Sequence, residues 1–576
     1  MDITIKIGGE AGQGIQTIGE ALGRIFSRSG YHVFTHQDYE SRVRGGHNFY
    51  QVRVAGQPVH SSCERIDILV ALDKESISRH RGELAADGKV LYDAASLREK
   101  HEGPAFLDTP FADLARTHGG SPIMANTVAT GAVLGMLGME LQPLLDLLAE
   151  TFRRKGEAVV AANAAAARAG FDFAKKECRT CSFAAAPERG AVPRMLIAGV
   201  DAVGLGAVAS GVKFYAAYPM TPSTGVMTYV ASKASEFGIV VEQAEDEIAA
   251  INMALGASFA GVRAMTGTSG GGFALMVEGL ALAGMTETPV VIALGMRPGP
   301  ATGFPTRTEQ GELQFALSAG HGEFPRVVFA PGTPKQAFHQ TNKAFELAEK
   351  YQVPAIILFD QLLADSQWTY KGFDLARTSF TDRRVRGDAF RDLAGYKRHA
   401  FTESGVSPLG VPGEARHVVV TDSDEHDEDG HIVEDFGTRV RMTEKRLFKK
   451  LAGLREELSP PYQYGDSAPE VVIAGWGSTF GVMRDAVDEL AKDYSIAMLH
   501  YSELFPFPGK ANRGALALLG NAELAICIEQ NATGQFERLL RAETGFEFGA
   551  HVRKYDGRPF LLEELVRELA ERIKEL

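Results

Sequence analysis

Three consecutive carboxylates, Glu245, Asp246 and Glu247, stand directly before a long run of small apolar residues, IAAINMALGASFAG. Two interpretations are open at this point. Acidic residues in the first turn of a helix are favoured by the helix dipole, so a buried helix with an acidic start explains the segment. Alternatively, one carboxylate is carried into the interior because it is needed there as an acid. The local sequence by itself favours the first interpretation.

A glycine-rich segment near the N-terminus has the composition of a phosphate-binding turn. GGEAGQGI, residues 8–15, places Gly9, Gly12, Gln13 and Gly14 between a predicted strand and a predicted helix. Glycines let the backbone approach a ligand closely, and a helix N-terminus offers free N–H groups to a phosphate. A nucleotide-like ligand is indicated. The spacing matches neither GxxxxGK[ST] nor GxGxxG, and a tight strand–helix turn needs glycine in any case.

A second segment, ESRVRGGHNFY, places Arg42, Arg44 and His47 around another pair of glycines. Guanidinium and imidazole groups suit an anion such as pyrophosphate or a carboxylate. An exposed loop with ordinary salt bridges explains the same spacing equally well.

Three loops in the middle of the chain follow predicted strands. YPMTPST carries Thr221, whose hydroxyl could donate to a carboxylate together with those of Ser223 and Thr224, although Pro, Ser and Thr also form simple turns. GTSGGGF ends a second strand, and Arg297 follows the strand PVVIALG in a stiff loop rich in Pro and Gly. Arg297 is the best candidate for bidentate binding of a carboxylate. Since α/β sheets bind ligands beyond the carboxyl ends of their strands, we expect these loops to share one site.

The elements that must position these residues alternate between strand-like and helical segments, which predicts an α/β fold with largely parallel sheets. We predict three α/β domains, at residues 1–180, 196–380 and 468–576. Residues 181–195 are predicted to be a linker and residues 381–467 an irregular connecting segment. Within that segment, DSDEHDEDGH is interpreted as a solvated loop rather than a metal site, despite His426 among the acids.

Composition excludes several classes of protein. The chain has 576 residues, 45% apolar and 23% charged, and its net charge of −13 gives no case for binding nucleic acid or an anionic membrane. The N-terminus has no signal-peptide pattern and no apolar run reaches about 20 residues, so we expect a cytoplasmic protein. Four cysteines argue against a disulfide framework, and the lone pair Cys178 and Cys181 is interpreted as incidental thiols rather than a metal site.

Taken in order, YPMTPST, EDEIAAINMALGASFAG, TSGGGF, MRPGPATGFPT, RHAFTESGVSPLGVPG and EQNATGQ resemble the alpha subunits of 2-oxoacid:ferredoxin oxidoreductases. GGEAGQGI and SRVRGG resemble the gamma subunit, here fused in front of alpha. The 2-oxoglutarate type, also called 2-oxoglutarate synthase, is the closest match. The resemblance covers nearly the whole chain and implies a gamma-like domain, a thiamine diphosphate pyrimidine-binding domain and a transketolase C-terminal-like domain.

The resemblance also implies cofactors and partners. The chain would hold the aminopyrimidine of thiamine diphosphate, while a beta subunit would hold the diphosphate, Mg²⁺ and a [4Fe-4S] cluster. In agreement with this, the sequence has neither a GDG followed by an Asn pair nor a ferredoxin-like cysteine run. A heterodimer or heterotetramer that reacts with coenzyme A and ferredoxin follows.

In such enzymes a buried glutamate must hold or share a proton at N1′ of the aminopyrimidine. Counting nine residues back from Gly256 assigns this role to Glu247, with Glu245 as the alternative. The resemblance assigns cofactor contacts to Tyr218, Pro219, Thr268 and Ser269, substrate contacts to Thr221, Arg297 and Thr306, and coenzyme A contacts to Gly9, Gly12, Gln13, Gly14, Arg42, Arg44 and His47. Ala301 stands where the family often has Ser, which removes one hydroxyl from that loop.

The expected reaction converts 2-oxoglutarate, coenzyme A and oxidised ferredoxin to succinyl-CoA, CO₂ and reduced ferredoxin, and it is reversible in principle. Pyruvate or another 2-oxoacid is an alternative substrate. A non-catalytic coenzyme A-binding subunit is the alternative from a different class.

Overall fold

A computed structural model of the chain describes residues 2–42, 45–178 and 192–574. The chain forms two compact units. The first unit comprises Met1–Ile197 together with two later segments, Asp365–Gly372 and Leu561–Leu565. The second unit comprises Ala198–Ala364, Phe373–Phe560 and Val566–Leu576.

The strands and helices alternate along the chain as expected for an α/β protein. The strands are β1 (Asp2–Ala11), β2 (His32–Asp38), β3 (Gly45–Ala55), β4 (Ile66–Ala71), β5 (Leu84–Tyr92), β6 (Phe106–Asp108), β7 (Met195–Ala198), β8 (Phe214–Ala217), β9 (Val240–Gln243), β10 (Ala264–Ser269), β11 (Val290–Met296), β12 (Val327–Phe329), β13 (Pro354–Asp360), β14 (Gln367–Tyr370), β15 (Arg384–Val385), β16 (Leu409–Gly410), β17 (Tyr462–Gly465), β18 (Val471–Trp476), β19 (Ile496–Tyr501), β20 (Glu503–Phe505), β21 (Leu524–Glu529) and β22 (Ala550–Arg553).

The helices are α1 (Ile15–Arg28), α2 (Lys74–His80), α3 (Ala94–Leu97), α4 (Phe111–Gly119), α5 (Ala125–Met136), α6 (Gln142–Phe152), α7 (Glu157–Glu177), α8 (Gly199–Ala209), α9 (Thr224–Phe237), α10 (Glu247–Phe259), α11 (Gly270–Met285), α12 (Leu313–Ser318), α13 (Pro334–Tyr351), α14 (Gln361–Asp365), α15 (Gly387–Arg391), α16 (Phe436–Thr443), α17 (Lys450–Glu457), α18 (Phe480–Leu490), α19 (Arg513–Asn521), α20 (Gln535–Thr544) and α21 (Leu562–Lys574). A π-helical turn, Glu444–Lys449, joins α16 to α17. Within the described ranges, none of these helices is long and apolar enough to cross a membrane.

The first unit contains an eight-stranded sheet in the order β6-β5-β4-β1-β3-β2-β14-β7. Strands β1, β4, β5 and β6 are parallel neighbours, whereas β3 is antiparallel to β1 and to β2. The sheet is therefore mixed, because the segment after Arg44 runs back along β1 as a long strand instead of remaining a loop. His47 consequently lies on a strand.

The second unit contains a seven-stranded sheet, in the order β20-β12-β13-β11-β10-β8-β9, and a five-stranded sheet, in the order β17-β19-β18-β21-β22. Strands β8 to β13 of the larger sheet pair in parallel, and so do β18, β19, β21 and β22 of the smaller one. One continuous apolar core contains residues from both sheets, such as Leu294 and Trp476. Strands buried on both faces explain the unbroken apolar runs in the sequence.

The acidic stretch around His426 is a loop with exposed acids such as Asp424 and Asp429, as predicted, but His426 itself is not solvated. His426 is fully buried, and its ring lies 4.1 Å from that of His399. The neighbouring Glu425 pairs with Arg446, at 2.6 Å, and with Arg439, at 2.7 Å. Glu425 is thus a partner for basic residues of α16 and of the π-helical turn, a pairing that the local sequence does not reveal.

The cysteines differ from the expectation in one respect. Cys178, at the end of α7, is disulfide-bonded instead of a free thiol, and Cys181 lies outside the described residues, as does most of the predicted linker. Cys63 and Cys527 are buried free thiols.

Candidate active site

The candidate site is built at the carboxyl ends of β8, β10 and β11. These strands are adjacent and parallel, so the loops that follow them meet at one edge of the sheet. The loop after β8 carries Tyr218 to Ser223, β10 ends at Ser269, and Arg297 follows β11. The structure thereby brings together the loops that the sequence analysis predicted to share a site.

The three carboxylates of the acidic run have three different environments. Glu245 is exposed. Asp246 caps helix α10, because its side chain accepts a hydrogen bond of 2.7 Å from the backbone N–H of Ala249. Glu247 is the first residue of α10 and only 3% exposed. Helix capping and an inward-pointing carboxylate therefore occur together, on neighbouring residues.

Glu247 lies against the beginning of helix α11. A Cβ atom added at Gly272 would lie 2.3 Å from Oε1 of Glu247 and 2.1 Å from Oγ1 of Thr268. Contacts this short would force the carboxylate and the hydroxyl away, so only glycine leaves them room. Gly272, the third glycine of the GGG run in TSGGGF, is thus a packing requirement of the site.

Several polar atoms of this site are buried without a hydrogen-bond partner in the part of the chain that the structure describes. They are Glu247 Oε1, Ser269 Oγ at the end of β10 and, further back in the same strand, Thr266 Oγ1. A buried polar atom left without a partner costs about 1–3 kcal/mol. Such oxygen atoms suit a polar ligand that offers N–H or O–H donors.

Arg297 directly follows β11, the neighbour of β10, at the same edge of the sheet. It is 8% exposed, and its Nη1 donates a hydrogen bond of 2.9 Å to the backbone oxygen of Thr221. Burial lowers the pKa of the Arg297 guanidinium below its usual value. The hydrogen bond fixes one end of the guanidinium next to the β8 loop.

The remaining residues of these loops differ in how far their side chains are buried and in the hydrogen bonds they form. Ser223 is buried and its hydroxyl donates to the backbone oxygen of Ala293 at 3.1 Å, so it supports the loop and is not a free donor. Thr268 is buried, Tyr218 is 41% exposed, and Pro219 and Thr306 are half-buried.

Glu312, which the sequence analysis did not single out, is a second carboxyl group at the start of α11. A Cβ atom at Gly270 would lie 2.5 Å from its Oε1, and its Oε2 is another buried oxygen without a partner among the described residues. Burial, assisted by the charge of Glu309, raises the pKa of Glu312 to about 8. The sequence signal was present in TEQGEL, an acidic residue directly before a helix, but this pattern is also an ordinary helix start.

The glycine turn of the first unit lies between β1 and α1, as predicted. Gly12 and Gly14 have φ angles of 93° and 86°, and Gly14 caps α1. The side chain of Gln13 accepts a hydrogen bond of 2.8 Å from the backbone N–H of Glu10, which closes the turn. The free N–H groups at the start of α1 follow directly after this turn.

The basic residues near this turn differ from one another in exposure and in charge, which the sequence did not indicate. Arg42 is exposed and paired with Glu40 at 2.9 Å, and Arg44 lies outside the described residues. His47 is buried, and burial lowers its pKa, which favours the neutral imidazole. Its Nε2 lies 2.8 Å from Nε2 of His80, whose Nδ1 lies 3.0 Å from Glu83. A neutral His47 is not a charged ligand for a phosphate.

Comparison with known proteins identifies the family. The thiamine diphosphate-binding family of pyruvate flavodoxin/ferredoxin oxidoreductases matches residues 205–445, and the pyruvate ferredoxin/flavodoxin oxidoreductase family matches residues 4–173. The alpha subunit of the 2-oxoacid:ferredoxin oxidoreductase of Saccharolobus solfataricus is 33% identical, over 98% of this chain and 97% of its own length. The chain belongs to the 2-oxoacid:ferredoxin oxidoreductase alpha subunits.

Two further relatives extend the comparison. The 2-oxoglutarate oxidoreductase subunit KorA of Mycobacterium tuberculosis is 27% identical, over 100% of this alpha subunit and 93% of its own length. The solved 2-oxoglutarate:ferredoxin oxidoreductase of Magnetococcus marinus, with 2-oxoglutarate, coenzyme A and succinyl-CoA bound, is 32% identical, has a TM-score of 0.91 and covers 99% of each chain. The enzyme class and the gamma–alpha fusion are thereby confirmed. As an alpha subunit, the chain is one component of a multi-subunit oxidoreductase.

Proposed function

We propose that this alpha subunit catalyses the oxidative decarboxylation of 2-oxoglutarate with coenzyme A, giving succinyl-CoA and CO₂ and passing electrons to ferredoxin. The observation that carries the proposal is the buried carboxylate of Glu247, whose Oε1 has no partner among the described residues. Two relatives whose names specify 2-oxoglutarate, in Mycobacterium tuberculosis and Magnetococcus marinus, support this choice of substrate.

The residues around Glu247 fit the aminopyrimidine of thiamine diphosphate. When bound, this cofactor would supply the nucleophilic carbon that attacks a 2-oxoacid. Glu247 Oε1 would hold the proton at N1′ of the ring, since an unpartnered oxygen there needs such a donor. Thr268 and Ser269 would line the ring from the end of β10, and Tyr218 and Pro219 would line it from the β8 loop.

The carboxylate of the 2-oxoacid would bind to Arg297, with Thr221 and Thr306 beside it. Among the described residues, Arg297 donates a hydrogen bond only through Nη1, to the Thr221 backbone, so its other N–H groups would be available for a carboxylate. A guanidinium that is 8% exposed binds an anion more strongly than a surface one, because solvent screens it less.

Coenzyme A would bind to the glycine turn of the first unit, with Gly9, Gly12, Gln13 and Gly14 near its phosphates. The φ angles of Gly12 and Gly14 keep the backbone open for close approach. Arg42 and Arg44 would provide positive charge, while the buried, neutral His47 would contribute at most a neutral hydrogen bond.

The complete enzyme would require a beta subunit that holds the diphosphate with Mg²⁺ and a [4Fe-4S] cluster, as a heterodimer or heterotetramer in the cytoplasm. The described residues contain no group of His, Cys, Asp and Glu arranged to hold a metal ion.

The decisive experiment is viologen reduction by this chain co-expressed with its neighbouring small subunit, with thiamine diphosphate, Mg²⁺, coenzyme A and 2-oxoglutarate. We expect reduction that depends on coenzyme A and is absent from either subunit alone. Activity with pyruvate but not with 2-oxoglutarate would retain the chemistry and change the substrate. Inactivity with every 2-oxoacid would indicate a non-catalytic coenzyme A-binding subunit.

The role of Glu247 is tested with Glu247→Gln, for which we expect a loss of at least about 100-fold in turnover, the usual size for a positioned acid or base. Glu245→Gln is the matched control, because Glu245 is the exposed member of the same acidic run. Size-exclusion chromatography should show that both variants still assemble. Near-normal turnover of an assembled Glu247→Gln enzyme would contradict the assignment.

A further inference from the structure

Two carboxyl groups flank the first turn of helix α11. Glu247 lies against Gly272, and Glu312 lies against Gly270, where an added Cβ atom would be 2.5 Å from Oε1 of Glu312. The proposed chemistry gives Glu247 a task, but it leaves Glu312 without one. Oε2 of Glu312 is buried and has no hydrogen-bond partner in the described part of the chain. A buried carboxyl oxygen without a hydrogen-bond partner is energetically costly. Because Glu312 contacts the same helical turn as Glu247, its burial there needs an explanation.

The cation that acts electrostatically on Glu312 is Arg297. Its guanidinium interacts electrostatically with Glu312 and is also buried, but among the described residues the two side chains do not form an ion pair. Arg297 is held instead by the backbone oxygen of Thr221. An ionised Glu312 would attract the guanidinium and repel an incoming anion, whereas a protonated Glu312 would do neither.

We propose that Glu312 is a positioning residue that stays protonated while substrate binds, and thereby leaves Arg297 free for the carboxylate of the 2-oxoacid. This inference rests on the proposed function, in which Arg297 binds that carboxylate. It adds a determinant of affinity that lies outside the residues predicted from the sequence.

The surroundings of Glu312 support a protonated carboxyl at neutral pH. Burial raises its pKa to about 8, and the carboxylate of Glu309 on the same loop acts in the same direction. Arg297, at the end of β11, acts against them. From α10, Glu247 faces the same turn of α11 from the side of Gly272 and adds no positive charge. With a pKa of about 8, most of the population is protonated at pH 7.

The expected effect on binding follows from the fraction of enzyme that is competent. With a pKa of about 8, the protonated fraction is roughly 0.9 at about pH 7 and roughly 0.1 at about pH 9. If only the protonated form binds, the apparent dissociation constant rises in inverse proportion to that fraction. We therefore expect it to increase about tenfold between these two pH values.

The test measures binding instead of turnover. The assembled complex is titrated calorimetrically with 2-hydroxyglutarate, a dicarboxylate without a reactive keto group, at about pH 7 and about pH 9. We expect the ratio of the two dissociation constants to be about ten for the unmodified enzyme and about one for Glu312→Gln. An equally large ratio in Glu312→Gln, with circular dichroism showing a normal fold, would overturn the proposal.

Glu309→Gln is the matched second variant, and it remains informative if Glu312→Gln does not fold. Removal of the Glu309 charge lowers the pKa of Glu312, so affinity should begin to fall at a lower pH than in the unmodified enzyme. If affinity begins to fall at the same pH as in the unmodified enzyme, or at a higher pH, the proposal is contradicted.

The variant Arg297→Met separates this inference from the proposed function. If 2-hydroxyglutarate binds to Arg297→Met as tightly as to the unmodified enzyme, the assignment of Arg297 fails, and the role of Glu312 fails with it. If Arg297→Met loses binding but the pH dependence survives in Glu312→Gln, only the role of Glu312 fails.

Discussion

Glu287 provides the sharpest test of how the second unit is held together. This carboxylate is fully buried in the loop between α11 and β11, with a φ angle of 52° that is unusual for a residue other than glycine. It forms ion pairs with Lys445 and with Lys450, the latter at 2.5 Å, and lies 3.0 Å from Nδ1 of His399. We predict that Glu287→Gln strongly destabilises the second unit, since it leaves two buried ammonium groups without a counter-charge.

The magnitude can be worked from the pKa values of the lysines. Burial lowers the pKa of Lys450 to about 7 even with Glu287 present, and it also lowers that of Lys445. Without Glu287, both lysines must remain buried as cations or lose a proton. Deprotonating a lysine with an unfolded pKa of about 10.4 at pH 7 costs roughly 5 kcal/mol. Removing one partner of a buried ion pair typically costs about 3–5 kcal/mol, and we expect a loss in this range.

The pH dependence has a definite sign. In Glu287→Gln, the folded protein binds fewer protons than the unfolded chain, because the buried lysines are neutral and the exposed ones are charged. Its stability therefore rises with pH between about 7 and about 10. Lys450 already loses its proton on folding in the unmodified protein, so only Lys445 adds to the pH dependence of the variant. The difference in unfolding free energy between Glu287→Gln and the unmodified protein should therefore shrink by about 1.4 kcal/mol per pH unit.

Scanning calorimetry of the full chain measures the effect. A loss of about 3–5 kcal/mol should lower the apparent Tm of the second unit by roughly 5–10 °C at pH 7, and by less at pH 9. Glu489→Gln is the control, because it removes an ion pair with Lys492 in which both side chains are exposed, and it should leave the Tm unchanged. A Tm for Glu287→Gln equal to that of the control would refute the reasoning.

Two further predictions concern glycines for which the structure leaves no room for a side chain. Gly272→Ala should weaken thiamine diphosphate binding at least about tenfold in calorimetry, because its Cβ would lie 2.3 Å from Oε1 of Glu247. Gly271→Ala, with open space at its Cβ, should bind normally. Gly14→Ala should weaken coenzyme A binding by a similar factor, since it combines a φ angle of 86° with a Cβ position 1.8 Å from Asn126. Gly56→Ala is the control for Gly14→Ala, because a Cβ atom at Gly56 meets open space. If a variant and its control bind the ligand equally well, the prediction for that glycine is contradicted.

Much of the fold was accessible from local sequence. The first strand, glycine turn and first helix lie where the pattern predicted them, as do the buried parallel strands of the second unit, because strand and helix periodicities are local properties. The pairing of strands that are distant in the sequence could not be predicted from local patterns. Strand β14 belongs to the sheet of the first unit and β20 to the larger sheet of the second, and no local pattern specifies which distant edge a short strand will join.

In the candidate site, too, some features could be predicted from local sequence and others could not. Sequence alone determined which residue types stand at the ends of β8, β10 and β11, and the parallel order of these strands gathers the loops at one edge. Only the tertiary structure decided which carboxylates enter the interior. Glu247 is buried while Glu245 two residues earlier is exposed, and Glu312 reaches Gly270 from a different loop. Burial and proximity depend on how remote elements pack, and these determine where a carboxyl can hold its proton.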